Sequence, residues 1–209
     1  MTITSAEKSR KYKDRLLIYI DGRFSFTISE EDYITLNLYE NPELTQETLD
    51  YIKNTLNFKE AKSIAVRYLS MKLRTEEEVK VKLKSCGFDN ECIENVTEEL
   101  KAIGYINNKL YAQKYVFDRS KLKPLSKKLM KQELLSKGIA EDIADEVLDD
   151  WKVEDIDVAE NLLKRRFGKY DLSDDKVLKR AYTFLLHRGF SYEVIKKAIQ
   201  EEGGNIEKD

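Results

Sequence analysis

Two kinds of hydrophobic spacing divide the chain near residue 58. Before that point, apolar side chains alternate with other residues from Leu16 to Ile20, and the alternation resumes from Phe24 to Ile28 after Asp21-Gly22. Alternation of this kind is typical of a strand with one buried face, and Asp-Gly favours the positive φ angles of a two-residue type I′ turn. The pattern therefore predicts a β-hairpin.

Two short helices are predicted after the hairpin. Ser29 followed by three acidic residues is typical of a helix N-cap with acids in the first turn, because the positive end of the helix dipole favours negative charge. Asn41-Pro42 is expected to end this helix, since proline cannot continue one. A second helix is expected after Thr45.

From about residue 58 the spacing is helical throughout, and it repeats. Successive members of the series Gly87, Gly138 and Gly189 are 51 residues apart, and each has a leucine four positions before it and a large apolar residue directly after it. Glycine readily takes the left-handed conformation that ends a helix, so each is predicted to close one. Each closing glycine is preceded by two apolar stripes and followed by another.

The repeat predicts a mainly α fold. We expect an elongated, curved array of three tandem three-helix repeats, preceded by a small β-hairpin plus helix motif. The expected domains are 1–57 for the hairpin and short helices, then 58–107, 108–157 and 158–209 for repeats 1, 2 and 3. A long array of this kind suits a long partner, such as a filament or a nucleic acid, better than a small substrate. A monomer is expected, since an array with capped ends needs no second copy to close it.

Composition excludes several classes of protein. The chain has 37 Lys and Arg against 39 Asp and Glu, so a uniformly basic polyanion-binding protein is excluded. Two cysteines and one histidine are too few for a closed zinc site of four soft ligands or for a disulfide scaffold. No apolar run approaches the roughly 20 residues of a membrane span, and no signal peptide is evident, so a cytoplasmic protein is expected.

The search for catalytic chemistry finds little. Neither of the glycine-rich loops that cradle phosphates is present, and the lone His187 is interpreted as a cation at a helix C-terminus. The acidic run from Glu141 to Asp157 alternates with apolar residues, so it is interpreted as the solvated face of a helix rather than as a metal site. We therefore expect no enzyme activity, no cofactor and no metal.

Charge is distributed in bands. Residues 111–140 contain 8 basic against 2 acidic residues, whereas residues 141–160 contain 1 against 10. Lys127 and Lys128 stand in the first turn of the helix opened by Ser126, where the helix dipole disfavours cations, so a compensating anion is expected there. The candidate partner- or phosphate-binding residues form two clusters. The lysine cluster is Lys121, Lys123, Lys127, Lys128 and Lys131, and the second basic cluster is Lys164, Arg165, Arg166, Lys179 and Arg180.

Three segments of the chain have a distinctive pattern: AVRYLSMKLRTEEEVKVKLKSCGF from Ala65, LKAIGYINNKLYAQKYVFDR from Leu100 and KQELLSKGIAEDI from Lys131. On these segments, nearly the whole chain resembles the RecX family of regulatory proteins, bacterial modulators of the RecA recombinase. The chain departs from the family's pattern at Asn108, where aspartate is usual, and at Lys123-Pro124, where glycine is common.

The resemblance implies a protein that binds RecA filaments on single-stranded DNA and inhibits ATP hydrolysis, strand exchange and coprotease activity. The alternative is a helical-repeat protein that binds single-stranded nucleic acid directly, without specificity for RecA. Tight binding to bare DNA would favour this alternative, since phosphate contacts alone need no protein partner.

Overall fold

A three-stranded antiparallel sheet, in the order β1-β2-β3, begins the chain in the computed structural model, which describes residues 1–204. The strands are β1 (Ile3–Lys8), β2 (Arg15–Ile20) and β3 (Arg23–Ser29). The predicted hairpin is present as β2 and β3, and its turn has φ of 49° at Asp21 and 77° at Gly22, as a type I′ turn requires. Strand β1 was not predicted. Ile3 is its one buried residue, so it lacks an alternating apolar face.

The helix after the sheet is shorter than predicted. Ser29 caps α1 (Glu30–Thr35) by accepting a hydrogen bond from the Asp32 amide, but the helix ends before Asn41-Pro42. Asn37 takes a left-handed conformation with φ of 53° just beyond it, which turns the chain out of the helix. The expected termination at Asn41-Pro42 is therefore wrong.

A continuous helical run follows Thr45. Helix α2 (Gln46–Tyr51) passes through a π-helical segment (Ile52–Asn57) into α3 (Phe58–Met71), and the backbone stays helical at both junctions. The predicted boundary between residues 57 and 58 falls inside this run. The π-helical segment ends at buried Asn57, whose side chain donates to the Thr27 carbonyl oxygen at 3.0 Å and accepts from Arg15 at 2.8 Å.

The rest of the chain, as far as residue 204, forms three-helix repeats, as predicted. The remaining helices are α4 (Glu76–Ser85), α5 (Asn90–Ala102), α6 (Asn108–Leu122), α7 (Lys127–Ser136), α8 (Glu141–Asp150), α9 (Asp155–Phe167), α10 (Asp175–Leu186) and α11 (Tyr192–Glu201). Repeat 1 contains α3 to α5, repeat 2 contains α6 to α8, and repeat 3 contains α9 to α11. The chain divides into two compact units, Met1–Asn107 and a second that begins at Asn108.

Each repeat is organised around its own buried apolar cluster. Leu83 and Val96 lie in the cluster of repeat 1, Leu134 and Ala144 in that of repeat 2, and Leu185 in that of repeat 3. Burial of these side chains is the main favourable contribution to folding, at about 1.5–3 kcal/mol for each large aliphatic residue. Among residues 1–204, no helix combines the length and apolar composition needed to cross a bilayer.

The three repeating glycines end helices in the left-handed conformation, as predicted. Their φ angles are 94° at Gly87, 77° at Gly138 and 83° at Gly189. Two of them also pack closely against a residue from an earlier part of the chain. A Cβ at Gly87 would lie 2.7 Å from the Tyr12 ring, and a Cβ at Gly189 would lie 2.6 Å from the Ser126 hydroxyl oxygen.

The contact at Gly189 joins repeats 2 and 3. Ser126 donates its hydroxyl to the Gly189 carbonyl oxygen at 2.7 Å, and its backbone amide donates to the Arg188 carbonyl oxygen at 3.0 Å. Arg188 in turn donates to the Pro124 carbonyl oxygen at 2.7 Å. The N-cap of α7 is therefore docked on the C-terminal turn of α10.

Candidate functional site

The lysine cluster is partly neutralised by acids of the same unit. Helix α7 presents Lys127 in its first turn, and the Asp155 carboxylate at the start of α9 accepts from the Lys127 backbone amide at 2.9 Å. The Glu154 carboxylate lies 3.9 Å from the Lys127 ammonium nitrogen. The anion expected at this helix start is thus supplied, at least for Lys127, by the chain itself.

Lys131 is also engaged within repeat 2. Its ammonium group lies 2.7 Å from a carboxylate oxygen of Glu141 and 2.7 Å from one of Asp145, and these two carboxylates raise the pKa of Lys131. The acidic residues of α8 are therefore not merely solvated, because two of them bind this lysine across the α7–α8 pair. The nitrogen of Lys121 lies over the Phe117 ring, 4.1 Å from its centroid.

Two members of the lysine cluster remain available to a partner. Lys123 and Lys128 are both exposed, and neither forms an ion pair with any residue from 1 to 204. Among residues 1–204, three of the five lysines thus contact a carboxylate or an aromatic ring and two form no ion pair, although the charge of Lys123 helps to lower the pKa of Glu133.

The second basic cluster divides as well, because neighbouring residues of α9 point in different directions. Lys164 lies 3.3 Å from the Glu202 carboxylate. Arg165 lines a cavity of about 360 Å³ whose other walls are mostly apolar, with Trp151 and Leu162 among them. Arg166 instead lines a second concavity together with Lys179 and Arg180 of α10.

This second concavity, called the basic groove here, has a volume of about 590 Å³. It is lined by Arg166, Phe167, Lys176, Lys179, Arg180, Thr183, Phe184 and His187. Lys176 is not among the predicted binding residues, and His187 was predicted as a helix cap rather than as part of this cluster. A signal was present, because the α10 members are spaced as one face of a helix.

Four cationic side chains, those of Arg166, Lys176, Lys179 and Arg180, line the basic groove. Among the residues that the structure describes, no carboxylate belongs to its lining, and Lys176 and Arg180 are exposed. The Arg166 and Arg188 guanidinium carbons lie 4.6 Å and 4.7 Å from the centroid of the Phe184 ring. Burial lowers the pKa of Arg188, and the positive charges of Arg166 and Arg119 lower it further. An anion would be stabilised in such a field.

His187 is the C-cap of α10, where the sequence analysis placed it, and it also borders the basic groove. Across the part of the chain that the structure describes, no three His, Cys, Asp or Glu side chains are grouped as a metal site requires. Cys92 is buried, and burial raises the pKa of its thiol to about 12. A thiol with that pKa is a poor nucleophile near neutral pH.

Four family models match the chain in consecutive segments. The RecX N-terminal domain matches residues 1–45, and the first, second and third three-helix domains of RecX match residues 61–100, 107–148 and 153–199. The matched segments cover the sheet and all three repeats.

Curated relatives and solved structures agree with these matches. The chain is 30% identical over 200 residues to the regulatory protein RecX of Caldanaerobacter subterraneus subsp. tengcongensis, an alignment that covers 94% of this chain and 96% of the relative. It is 31% identical over 201 residues to that of Clostridioides difficile, with 95% and 94% covered.

A crystal structure of regulatory protein RecX superposes with a TM-score of 0.64 at 26% identity, covering 96% of this chain and 100% of that one. RecX from Lactobacillus salivarius superposes with a TM-score of 0.60 at 29% identity, covering 70% of this chain and 96% of that one. Sequence, domain order and fold therefore agree, and the chain belongs to the RecX family of regulatory proteins.

Proposed function

We propose that this chain is a non-enzymatic regulator that binds RecA filaments on single-stranded DNA and inhibits their ATP hydrolysis, strand exchange and coprotease activity. Through these effects it would modulate DNA repair and the SOS response in the bacterial cytoplasm. Its membership of the RecX family supports the proposal. The observation that carries it is that Lys123 and Lys128 of repeat 2 and the cations lining the basic groove of repeat 3 form no ion pair within 4 Å among residues 1–204, although the chain has a net charge of −2.

The proposed mechanism is occupancy rather than chemistry. Lys123 and Lys128 of repeat 2 and the basic groove of repeat 3 would contact acidic protein surface or DNA phosphate across adjacent RecA subunits. A bound regulator opposes any filament motion that would break these contacts. If the filament has two states, the free energy by which the regulator shifts the balance between them cannot exceed the difference between its binding free energies for the two states.

The first test is ATP hydrolysis by RecA on single-stranded DNA while the chain is titrated in below the RecA concentration, with binding to bare DNA measured alongside. The proposal expects inhibition well below equimolar amounts, because one molecule bound along a filament affects more than one subunit. Absence of inhibition, with tight binding to bare DNA, would contradict it.

Charge reversal tests the surface on repeat 2. The whole lysine cluster is a poor target, since reversing Lys131 would place a third carboxylate beside Glu141 and Asp145 and disturb the α7–α8 pair. The sharper variant is Lys123→Glu with Lys128→Glu, which breaks no ion pair within 4 Å among residues 1–204 and removes only the longer-range attraction of Lys123 for Glu133.

This variant should require several-fold more protein for half-inhibition, and the difference should shrink at high salt as screening weakens the lost contacts. The matched control is Lys152→Glu with Lys197→Glu, which makes the same charge change at exposed positions. Equal inhibition by the two folded variants would refute the assignment of Lys123 and Lys128.

Direct binding of single-stranded nucleic acid without specificity for RecA is the second candidate. The basic groove favours it, because its lining has no carboxylate from residues 1–204 and would attract a phosphate backbone with or without RecA.

A further inference from the structure

We propose that the cavity lined by Arg165 binds a small monocarboxylate with an apolar body. The cavity, called the junction cavity here, has a volume of about 360 Å³ and is formed by residues of repeats 2 and 3. The inference goes beyond the proposed function, because it concerns a small ligand rather than the filament and its test contains no RecA.

The junction cavity lies where the apolar clusters of two repeats meet. Buried Leu125 and Met130 belong to the cluster of repeat 2, and buried Leu162 belongs to that of repeat 3. The interior of a folded protein holds few voids larger than a water molecule, because packed side chains gain dispersion energy that an empty space forfeits. An apolar occupant would supply these contacts and would remove apolar surface from water.

One face of α9 supplies both an apolar wall and a polar rim. Four lining residues follow the helical spacing of three and four positions, namely Val158, Asn161, Leu162 and Arg165. Leu162 is buried, whereas Asn161 and Arg165 are exposed. A ligand bound along this face would place its apolar body against Leu162 and its polar end beside Asn161 and Arg165.

The polar rim favours a negatively charged group. Lys164 lies 3.3 Å from the Glu202 carboxylate, but its neighbour Arg165 forms no ion pair within 4 Å among residues 1–204. The Asn161 side-chain amide donates one N–H to the Asp157 carbonyl oxygen at 2.8 Å, which leaves its second N–H for a ligand. A carboxylate can accept two hydrogen bonds from a guanidinium and another from an amide.

Size and charge together select the class of ligand. The volume lies near the lower end of the range of about 300–1,000 Å³ that is typical of small-molecule sites, which combine apolar walls with few polar groups. Arg165 is the one charged residue among 1–204 that lines the cavity. A carboxylate brings one negative charge, which a single guanidinium can balance, whereas a phosphate ester brings about 1.5 to 2.

Trp151 provides the measurement, because it is the chain's one tryptophan and it lines the cavity. The experiment follows the quenching of Trp151 fluorescence by acrylamide while octanoate, kept below its micelle-forming concentration, is added to the full chain. A ligand bound in the cavity should shield Trp151 from acrylamide, and the shielding should saturate. The comparison probes are octanol, which has the apolar body without the charge, and acetate, which has the charge without the body.

Two substitutions at neighbouring positions locate the site. Arg165→Gln removes the guanidinium of the junction cavity, and Arg166→Gln makes the same charge change in the basic groove. Both arginines are exposed and neither forms an ion pair among residues 1–204, so folding should be retained and is checked by circular dichroism.

Octanoate should bind the unsubstituted chain and Arg166→Gln with similar affinity. It should bind Arg165→Gln about tenfold more weakly, because a hydrogen-bonded charge pair is lost. Octanol should bind all three proteins alike, and acetate should leave the quenching unchanged. Octanoate should also raise the midpoint of thermal unfolding of the unsubstituted chain, since a ligand that binds only the folded state stabilises it.

Three results would overturn the proposal. The first is that octanoate gives no saturable shielding of Trp151. The second is an equal loss of affinity in the two variants, or a loss in Arg166→Gln alone, which would place the ligand in the basic groove. The third is shielding by an acidic leucine-containing peptide but not by octanoate, which would make the cavity a docking site for a protein side chain. None of these results bears on inhibition of RecA, so the inference and the proposed function can fail separately.

Discussion

The contribution of the contact between repeats 2 and 3 to stability can be tested by adding one methyl group at Gly189. Replacing Gly189 with alanine adds a Cβ that would lie 2.6 Å from both the Leu129 Cβ and the Ser126 hydroxyl oxygen, which is too close for either pair of atoms. Neither neighbour can move freely. Ser126 is fully buried, accepts from the Leu129 amide at 3.2 Å and donates to the Gly189 carbonyl oxygen at 2.7 Å.

A control in the same repeat separates this contact from backbone strain. Gly203 ends α11 with φ of 84°, almost the same as the 83° of Gly189, but a Cβ there would meet nothing within 4 Å. Alanine at either position should lower the free energy of unfolding by about 1–2 kcal/mol, because a left-handed conformation crowds its Cβ. The effect of the substitution on the entropy of the unfolded chain is the same at both positions. Only Gly189→Ala adds overpacking, at roughly 1–3 kcal/mol.

The expected free energies of unfolding therefore fall by about 1–2 kcal/mol for Gly203→Ala and by about 2–5 kcal/mol for Gly189→Ala. Urea unfolding followed by tryptophan fluorescence measures the difference, because the chain's one tryptophan, Trp151, lies in the unit that contains both glycines. Equal destabilisation by the two variants would show that the docked turn does not stabilise the junction.

Three further outcomes follow from other parts of the molecule. Arg15→Met removes a buried guanidinium that binds Thr27, Asn57 and Glu60. The free energy of unfolding, measured by urea titration, should therefore fall by about 3 kcal/mol. A loss under about 1 kcal/mol would contradict this. A disulfide reagent at pH 8 should leave Cys92 unmodified in the native chain and modify it in guanidinium, since burial raises its pKa to about 12; rapid native modification would place Cys92 outside the core. Hydrogen bonds from Arg119, and to a smaller extent from Tyr115, lower the pKa of Glu133 in the folded chain. The ionised carboxylate therefore stabilises the fold above its unfolded pKa, and this contribution is lost as the pH falls through the lower folded pKa. The stability difference between the unsubstituted chain and Glu133→Gln, about 1–2 kcal/mol at pH 7, should therefore narrow below about pH 4, and a constant difference in acid unfolding would refute the pairing.

The repeat architecture could be predicted because it depends on local chemistry. A helix end in the left-handed conformation strongly favours glycine, so Gly87, Gly138 and Gly189 mark their positions directly. The hairpin could be predicted for the same reason, since Asp21-Gly22 satisfies the two positive φ angles of its turn. Signals of this kind require no knowledge of which elements pack together.

Strand β1 and the α9 side of the basic groove depend on tertiary contacts and could not be predicted in this way. Strand β1 has little apolar pattern and is held by pairing with β2 and by hydrogen bonds to the 42–44 segment. Three adjacent residues of α9 have different surroundings. Lys164 lies beside the Glu202 carboxylate, Arg165 lines the mostly apolar cavity and Arg166 lines the basic groove. Successive residues of a helix point about 100° apart, so their separation depends on what packs around α9.

Internal ion pairing separates the cations that stabilise this fold from those that we propose bind a partner. The sequence analysis gave Lys131 and Lys179 equal standing, because each lies in a basic cluster on a helix. In the structure Lys131 is held between two carboxylates, whereas Lys179 faces a groove whose lining, within the described part of the chain, has none. Charge reversal at Lys131 should therefore act first on stability and that at Lys179 first on binding. Comparing urea unfolding and oligonucleotide affinity for Lys131→Glu and Lys179→Glu would reveal this crossed pattern, and parallel effects on both measurements would show that the two lysines are equivalent.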